Sequence, residues 1–477
     1  MWPPQRRTFN RVMRQFFVLL AVLASGTLTA QRVADRLKLA WERFEGDSQL
    51  RAGIASIYVA NAQTDAVIFE RNSRIGLAPA SSQKVITAAS AYEILGKDFR
   101  YQTKLHHEGV LRNDSLFGDL VITGSGDPSF GSWRMAQTNA DSVLTRMSKA
   151  VRAASIRWYC GWSSILKGWS EEAIPDSWIW QDIGQYYGAG AFVLNWHENQ
   201  FDLYTQPGDR PGMPVDILRS DPDPGQPVLS QASTGAKGSG DNSYLYPSIG
   251  GGETYEAGMT LRGTLPPGGV FKVSGALLDP ESTFWNSFQK SLSGCGVKNF
   301  AATSVRHSSI GQNSQLLYVH QSPPLDSLVF WFLRKSLNLY GEAFIKTMAV
   351  RAKGIAQTKA GTDLLRDFWK ERGIDPVELN IKDGSGLSPE NRVTTHAQAQ
   401  VLQYARKQSW FPGFYLALPE YNGMKLKSGT IGGVKAYCGY HTSKAGVTYT
   451  VSFIVNNYNG SEREIVQKMY AVLNELK

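Results

Sequence analysis

The sequence is poor in cysteine and in the histidine spacings that are typical of metal sites, and each scarcity excludes a class of protein. Only three cysteines occur in 477 residues, Cys160, Cys295 and Cys438, so the chain has no disulfide framework, although one bridge is possible. The seven histidines show neither HxH nor HExxH spacing, and the adjacent His106 and His107 would point to opposite faces of a strand. We therefore expect no metal centre and no other cofactor.

Dense runs of lysine and arginine are also lacking, so nucleic acid is not an expected partner. The formal net charge is +9, and four of the positive charges, Arg6, Arg7, Arg11 and Arg14, lie in the first 30 residues, which contain no acidic residue. Hydrophobic residues make up 42% of the chain and charged residues 19%. This balance is typical of a folded, soluble protein rather than a disordered or membrane-embedded one.

Long apolar runs are limited to the N-terminus. The run 16–24 follows the four arginines, and small or polar residues continue to Ala30. This order predicts a secretory signal peptide over 1–30, and hence export to the periplasm or cell envelope. The run is too short to span a bilayer comfortably, but an uncleaved N-terminal anchor remains an alternative.

Regular secondary structure is predicted at both ends of the chain. The periodicity predicts an amphipathic helix, a hairpin, a second helix that Gly96 ends, a third helix, a half-buried strand and a final helix after Ser461. The first helix covers 33–44, the two strands of the hairpin cover 52–58 and 66–69, and the second helix covers 81–95. The third helix covers 325–333, the half-buried strand 447–455 and the final helix 461–473. Together they predict a domain of the α+β class, in which an antiparallel sheet is flanked by helices.

The middle of the chain has a different texture. Between about 100 and 270, short strand-like runs alternate with glycine- and proline-rich turns, which forbids long elements. We therefore predict a catalytic domain formed by 31–99 plus 271–477. The segment between is predicted to form an accessory domain over 100–205, to which 258–270 can return, and a second small β-rich insertion over 206–257.

The first candidate for chemistry is the pair Ser81 and Lys84. Residues three apart at the start of a helix share a face, so the lysine amine can reach the serine hydroxyl and act as its base. The helix N-terminus would add partial positive charge where an oxyanion develops. The same Ser-x-x-Lys pattern also occurs at 164–167 and 287–290, so the pattern alone does not identify a nucleophile.

Two further short patterns follow late in the chain. Ser336 and Asn338 are separated by one residue at a predicted junction between helices, where both can point into one cleft. Lys427, Ser428 and Gly429 precede Thr430 on a predicted strand. There they offer a cation, a hydroxyl donor and a close backbone approach for a bound carboxylate. Alone, each pattern is more typical of an ordinary turn.

In this order, Ser-x-x-Lys, Ser-x-Asn and Lys-Ser-Gly resemble the signature set of the penicillin-binding proteins and serine β-lactamases. The wide separation of Ser81 from Ser336 resembles the class C low-molecular-mass D-Ala-D-Ala carboxypeptidases, the peptidase S13 family related to penicillin-binding protein 4. Similarity extends to 79–88, 118–121, 126–128 and 383–388. The family commonly has threonine at the position of Ser428, a change that keeps the hydroxyl.

The resemblance implies a penicillin-binding or β-lactamase-like transpeptidase fold with inserted domains. Its partners would be peptidoglycan peptides and β-lactams. It implies that Ser81 is the nucleophile with Lys84 as base, that Ser336 relays a proton and that Asn338 holds the substrate amide. Lys427 and Ser428 would bind the terminal carboxylate. The main-chain N–H groups of Ser81 and Thr430 would form the oxyanion hole.

Within the insertion, Trp180-Gln181-Asp182 resembles the family segment whose acidic residue meets the amine of a diamino acid side chain, so Asp182 is a candidate substrate contact. Two other functions remain open from the sequence. One is a β-lactamase or esterase with the same nucleophile, and the other is a catalytically silent envelope binding protein. The sequence does not determine the oligomeric state, or whether carboxypeptidase or endopeptidase action dominates.

Overall fold

The structure, a computed structural model, describes residues 31–165, 168–170, 172–248, 258–307, 311 and 313–477, with the backbone only for 301–307. The predicted signal peptide 1–30 and Lys167 lie outside the described residues, as does 249–257 of the predicted second insertion. Among the residues that are described, no helix is long and apolar enough to cross a membrane.

The described residues form helices and strands throughout the chain. The helices are α1 (31–45), α2 Lys84–Leu95, α3 Ala140–Ala153, α4 Trp180–Ile183, α5 Pro280–Gly294, α6 Leu325–Lys335, α7 Asn338–Lys353, α8 Thr358–Lys370, α9 Thr395–Arg406, α10 Phe411–Ala417 and α11 Glu462–Leu473. The strands are β1 Ile54–Asn61, β2 Val67–Arg71, β3 Gln102–Arg112, β4 Ser115–Thr123, β5 Trp158–Ile165, β6 Gln200–Pro207, β7 Val215–Asp221, β8 Val228–Ser230, β9 Ser233–Thr234, β10 Asn242–Pro247, β11 Met259–Leu265, β12 Phe271–Ala276, β13 Lys298–His307, β14 Gln315–Gln321, β15 Leu379–Asn380, β16 Arg392–Val393, β17 Glu420–Tyr421, β18 Met424–Ile431, β19 Val434–Thr442 and β20 Thr448–Asn456.

The chain divides into two compact units. The first unit contains the described residues up to Ser82 together with Arg392–Gln408 and Pro419–Lys477, and the second contains Gln83–Asn391 and Ser409–Leu418. The chain passes from the first unit to the second between Ser82 and Gln83, inside one continuous helical segment.

A six-stranded antiparallel sheet forms the centre of the first unit, in the order β17-β18-β19-β20-β1-β2. Successive strand residues point to opposite faces. Ile57 and Val59 of β1 share a buried cluster with α1 and α11, whereas Tyr58 and Ala60 pack against Ala399 of α9. The sheet is therefore covered by helices on both faces, and the predicted α+β class is confirmed.

The predicted elements at both ends of the chain are confirmed, with small shifts of their bounds. The helix predicted at 33–44 is α1, and the hairpin is β1 with β2. The helix predicted at 81–95 begins as one 3₁₀ turn, Ala80–Gln83, before continuing as α2, and Gly96 ends it at φ 88°. Glycine is favoured there because an L side chain rarely adopts a positive φ.

The second unit holds the remaining large sheets. A five-stranded mixed sheet runs β13-β5-β4-β3-β14 and buries a shared apolar cluster with α3 and α5. The three-stranded sheet β12-β6-β7 and the four-stranded sheet of β8, β9, β10 and β11 bury a second shared cluster. Among the described residues, no strand between 100 and 270 belongs to the sheet that carries Lys427.

The first three strands from residue 271 onward, where the sequence predicts that the catalytic domain resumes, pair outside the sheet of the first unit. β12 completes the small three-stranded sheet, while β13 and β14 pair with β5 and β3 of the five-stranded sheet. Strand pairing therefore extends the sheets of the accessory region as far as Gln321, the last residue of β14. Glycine and proline punctuation could not indicate this boundary, because strand pairing between segments far apart in the chain leaves no local pattern.

Burial on α1 generates a test of how the N-terminal helix supports the sheet. Leu37 is fully buried, whereas Leu39, on the same helix, is 54% exposed. Leu37→Ala should lower the free energy of unfolding by about 2–5 kcal/mol, because it leaves a cavity under the sheet. Leu39→Ala should change it by less than about 0.5 kcal/mol. Chemical denaturation followed by circular dichroism measures both, and equal effects would contradict the packing described.

Candidate active site

The turn that carries Ser81 is strained and held from within the first unit. Ala80, fully buried, has φ 46°, a left-handed conformation that costs on the order of 1–3 kcal/mol for a residue other than glycine. The Ser82 hydroxyl donates to the carbonyl oxygen of Pro79 at 2.7 Å and accepts from Gln398 Nε2 at 2.9 Å. Ser452 in turn donates to Gln398 at 2.7 Å. The half-buried Ser81 is thus presented by a rigid turn.

Strand β18 lies directly against this turn at Gly429. A β-carbon added at Gly429 would lie 2.5 Å from the Pro79 carbonyl oxygen, 2.7 Å from the Ser82 amide nitrogen and 3.0 Å from the Ser81 amide nitrogen. Real β-carbons do not approach other atoms so closely, so only glycine fits without displacing one backbone or the other. The structure therefore brings Ser81 and the Lys427–Thr430 segment together.

Lys427 is almost completely buried beside this turn. Its amine donates to the carbonyl oxygen of Ser428 at 2.7 Å, and Cys438 is its direct partner on β19. Burial lowers the pKa of Lys427 to about 7, and the positive charge of Lys435 adds to this effect. Burial also raises the pKa of the Cys438 thiol to about 12. The pair is therefore a neutral thiol beside an amine that titrates near neutral pH.

Ser428 and Thr430 alternate with Lys427 and Gly429 along β18. The Ser428 hydroxyl is half-buried and donates to the phenol oxygen of Tyr421 at 3.0 Å. The Thr430 side chain is exposed and accepts from Lys435 Nζ at 2.8 Å. The two hydroxyls therefore have partners on the neighbouring strands, Tyr421 on β17 and Lys435 on β19.

In the second unit, the amine of Lys84 is fully buried at the start of α2. It donates to Asn338 Oδ1 at 2.6 Å and to the carbonyl oxygen of Ser385 at 2.7 Å, and it lies 5.8 Å from the centre of the Phe332 ring. Two N–H groups of the amine therefore donate to identified acceptors, and one of these hydrogen bonds joins Lys84 directly to Asn338.

Ser336 and Asn338 occupy the tight connection between α6 and α7. Ser336 ends α6 in the left-handed region, with φ 59° and ψ 39°, and Asn338 is the first residue of α7. Because α7 begins two residues after this left-handed Ser336, the side chains of Ser336 and Asn338 both lie at the corner between the two helices. Ser336 is half-buried, and among the described residues its side chain makes no hydrogen bond to the groups around Lys84.

Asp182 is connected to this corner through Tyr187. Asn338 Nδ2 donates to the carbonyl oxygen of Tyr187 at 2.7 Å, and the Tyr187 hydroxyl donates to Asp182 Oδ1 at 3.2 Å. Burial raises the pKa of Asp182, while the Tyr187 hydrogen bond opposes that shift. The structure therefore brings Lys84, Asn338 and Asp182 into one hydrogen-bonded series. Sequence reasoning missed Tyr187, which carries no pattern of its own.

Asp383 is the second residue that sequence reasoning missed as part of the site. Its fully buried carboxylate accepts hydrogen bonds from main-chain amides and from side chains of distant segments. The donors are Gly386 N at 2.7 Å, Ser388 N at 2.6 Å, Trp178 Nε1 at 2.9 Å, Asn391 Nδ2 at 3.0 Å and Gln83 Nε2 at 3.3 Å. These bonds shape the loop that places the Ser385 carbonyl oxygen against Lys84. The Asp383-Gly-Ser-Gly pattern was the signal that could have identified it.

A second buried carboxyl lies beneath this loop. Glu342 of α7 accepts from the amide of Gly384 at 3.0 Å, and the main chains of Gly341 and Gly384 approach so closely that neither has room for a β-carbon. Burial raises the pKa of Glu342 to about 8, and the negative charge of Asp383 adds to the shift. Glu342 is therefore mostly protonated at neutral pH.

The other two Ser-x-x-Lys serines lie in ordinary structural positions. Ser164 is in β5 and is 1% exposed, where its hydroxyl accepts from Trp285 Nε1 at 3.3 Å. Ser287 lies inside α5 and donates to the carbonyl oxygen of Thr283 at 2.9 Å. Neither serine begins a helix, so neither has the amide donors that a helix N-terminus offers.

The close approach at Gly429 leads to a test with a matched control. Gly429→Ala should lower the free energy of unfolding by about 1–3 kcal/mol, the usual cost of forcing an extra carbon into a packed contact. At Gly432, in the turn that follows β18, an added β-carbon would have no heavy atom within 4 Å, and the residue has no positive φ. Gly432→Ala should therefore be near neutral in the same denaturation experiment, and equal losses would contradict the contact.

Comparison with known proteins gives consistent relatives. The D-alanyl-D-alanine carboxypeptidase of Actinomadura sp. (strain R39) is 25% identical over 455 residues, covering 89% of this chain and 82% of that protein. The D-alanyl-D-alanine carboxypeptidase DacB of Haemophilus influenzae is 23% identical over 423 residues, covering 85% of each.

The fold is shared with a solved structure as well. Penicillin-binding protein 4 (dacB) of Haemophilus influenzae superposes with a TM-score of 0.76 at 20% identity, covering 89% of this chain and 96% of that one. The model of the D-Ala-D-Ala carboxypeptidase 3 (S13) family matches residues 41–476, nearly the whole of the described chain. The chain therefore belongs to the D-Ala-D-Ala carboxypeptidase 3 (S13) family.

Proposed function

We propose that the chain is a serine D-alanyl-D-alanine carboxypeptidase/endopeptidase that acts on peptidoglycan stem peptides through an acyl-enzyme on Ser81. Membership of the S13 family makes it a serine peptidase, and the named relatives are D-Ala-D-Ala carboxypeptidases. The observation that most supports the assignment of the nucleophile is the buried amine of Lys84. It lies three residues after Ser81 on one helical segment and is directed by Asn338 and Ser385.

In the proposed reaction, the Ser81 hydroxyl attacks the carbonyl carbon of the penultimate D-alanine while Lys84 takes its proton. The oxygen of the tetrahedral intermediate is stabilised by the amides of Ser81 and Thr430, a contribution that is often among the largest in acyl transfer. The close approach of Gly429 to the Ser81 amide supports this oxyanion hole.

Collapse of the intermediate breaks the peptide bond, and the leaving amine of D-alanine receives a proton through Ser336. Water then hydrolyses the ester and regenerates Ser81. Asn338 would hold the substrate amide, a role consistent with its fixed position between Lys84 and the Tyr187 carbonyl.

The two ends of the substrate would be recognised by groups of opposite character. Lys427 and Ser428 would bind the terminal carboxylate, since the strand that carries them runs past the nucleophile turn. Asp182 would meet the amine of a diamino acid side chain, and its connection to Asn338 through Tyr187 supports this role.

We also propose where the protein acts and how its domains divide. The leader 1–30 is assigned as a signal peptide that directs export to the periplasm or cell envelope. The catalytic domain is assigned to the chain up to 99 and from about 322 onward, with the intervening sheets as accessory domains. Penicillins are the proposed inhibitors, and a penicillin-binding protein 4 of similar fold is known in complex with a β-lactam.

A D-alanine release assay on the wild-type protein separates this function from the alternatives. The enzyme should release D-alanine from a soluble pentapeptide that ends in D-Ala-D-Ala. A β-lactamase would instead hydrolyse penicillin rapidly without releasing D-alanine, and a silent binding protein would do neither and would not be labelled by a fluorescent penicillin.

The proposed nucleophile is tested by the position of the penicillin adduct. Mass spectrometry should place a single adduct on the peptide that contains Ser81, and Ser81→Ala should abolish labelling without unfolding the protein. Ser164→Ala and Ser287→Ala, which remove the other two Ser-x-x-Lys serines, should label at the wild-type rate. An adduct on either of those serines in the wild type would refute the assignment.

The shifted pKa of Lys427 predicts a pH dependence of substrate recognition. Because burial lowers this pKa to about 7, the amine in the free enzyme loses its proton as the pH rises through 7. The value of kcat/KM for a carboxylate-bearing peptide should therefore fall above about pH 7, approaching a tenfold loss per pH unit. The same peptide with a C-terminal amide should lack this limb. Identical profiles for the two substrates would exclude Lys427 as the carboxylate ligand.

A further inference from the structure

The second unit exposes aromatic rings that have no role in the site described above. Trp133 is 44% exposed, and the ring of His197 lies beside it with centroids 4.8 Å apart. The guanidinium of Arg134 lies 5.3 Å from the Trp133 ring centre and 5.6 Å from that of Trp331. We call these four residues the aromatic platform: two tryptophan rings, a histidine and the arginine between them.

A buried network holds the aromatic platform in place. Glu198 accepts from Arg134 Nε at 2.8 and 3.0 Å, from the Ser132 hydroxyl at 2.7 Å and from the Tyr340 hydroxyl at 3.0 Å. His197, Glu198 and Asn199 all have left-handed φ values, between 50° and 55°. Three consecutive strained residues persist only when the surroundings impose them, and such strain is concentrated at functional sites.

The chemistry of the platform suits an uncharged ligand with polar edges. Glu198 compensates the charge of Arg134, so the surface has flat apolar faces without an unpaired cation. Nucleic acid and other polyanions, which need unpaired cations, are therefore not favoured. Within the described part of the chain, the terminal nitrogens of Arg134 have no hydrogen-bond partner, and they can donate to a ligand.

His197 adds an acceptor at the same edge. Its Nδ1 lies 2.9 Å from the carbonyl oxygen of Gln200, and since a carbonyl only accepts, Nδ1 carries the proton. In the neutral ring, Nε2 is then an acceptor. Flat apolar faces bordered by donors and an acceptor match a pyranose ring, which has C–H faces and an equatorial rim of hydroxyl and acetamido groups.

We propose that the aromatic platform binds N-acetylated hexosamine units of the peptidoglycan glycan strand, an inference that rests on the proposed function for its biological ligand. One member of the platform lies on a helix that leads to the candidate site. Trp331 lies on α6, five residues and so about 7.5 Å along the helix axis before Ser336. Tyr340, which anchors Glu198, lies two residues after Asn338 on α7.

Binding the glycan would act through effective concentration. A strand held at the platform keeps its attached stem peptides near Ser336 and Asn338, so that capture of a peptide becomes an intramolecular step. Soluble peptides without sugars gain nothing from this contact. The platform should therefore affect the polymeric substrate and leave the chemistry at Ser81 unchanged.

The test uses the full-length protein, a β-1,4-linked tetramer of N-acetylglucosamine as the probe, and three variants. Trp133→Ala removes the exposed face, Trp133→Tyr keeps an aromatic ring, and Phe117→Ala removes another exposed ring of the same unit, 59% exposed, as the matched control. Calorimetry should show that Trp133→Ala weakens tetramer binding about tenfold or more. Trp133→Tyr should retain most of the binding, and Phe117→Ala should retain all of it.

Activity provides the second readout. In Trp133→Ala, the KM for cross-linked peptidoglycan should rise while D-alanine release from a soluble pentapeptide and the rate of penicillin labelling stay at wild-type values.

The proposal is overturned if the wild type does not bind the tetramer, if Phe117→Ala weakens tetramer binding as much as Trp133→Ala does, or if pentapeptide release by Trp133→Ala falls in parallel. It is also overturned if the wild type self-associates through this face, seen as a dimer in sedimentation velocity that Trp133→Ala dissociates. A wild type that binds the tetramer but releases no D-alanine would instead refute the proposed peptidase function.

Discussion

The hydrogen bonds that surround the Lys84 amine are the constraint on which the second unit depends. A buried amine without partners would cost several kcal/mol, so the chain must supply acceptors at that point. Asn338 at the start of α7 is one acceptor, and the carbonyl oxygen of Ser385 is another. That carbonyl is placed by the loop around Asp383, whose carboxylate collects donors from segments before and after it. The position of one amine therefore depends on contacts between segments that are far apart in the chain.

In the first unit, the main constraint is the strained turn that carries Ser81. The central sheet positions β18 so that its backbone runs against the turn at Gly429, and the Ser82 hydroxyl is locked by Gln398 and Ser452. The left-handed Ala80 is tolerated only because these contacts determine the path of the chain on both sides. Rigidity at this point would suit the proposed acyl transfer, since an oxyanion hole stabilises charge only when its donors are already in place.

Burial also moves several titratable groups toward neutral pH. The pKa of Glu342 is raised to about 8, while the pKa values of Lys346 and Lys427 are lowered to about 8 and about 7. In each case burial is the largest cause, because a dry interior disfavours the charged form of either acid or base. The protonation of Lys427 thus becomes responsive to pH near neutrality.

The features that local chemistry encodes could be predicted from the amino-acid sequence. Helical and strand periodicity predicted α1, the β1–β2 hairpin, α2 and β20, and three short motifs selected Ser81, Lys84, Asn338 and Gly429. The tertiary structure alone decided that β13 and β14 extend the five-stranded sheet, that Asp383 supports the Ser385 carbonyl, and that Tyr187 connects Asp182 with Asn338. The difference has a physical reason. Periodicity and capping act between residues a few positions apart, whereas strand pairing and buried hydrogen bonds join residues whose separation along the chain leaves no repeating pattern.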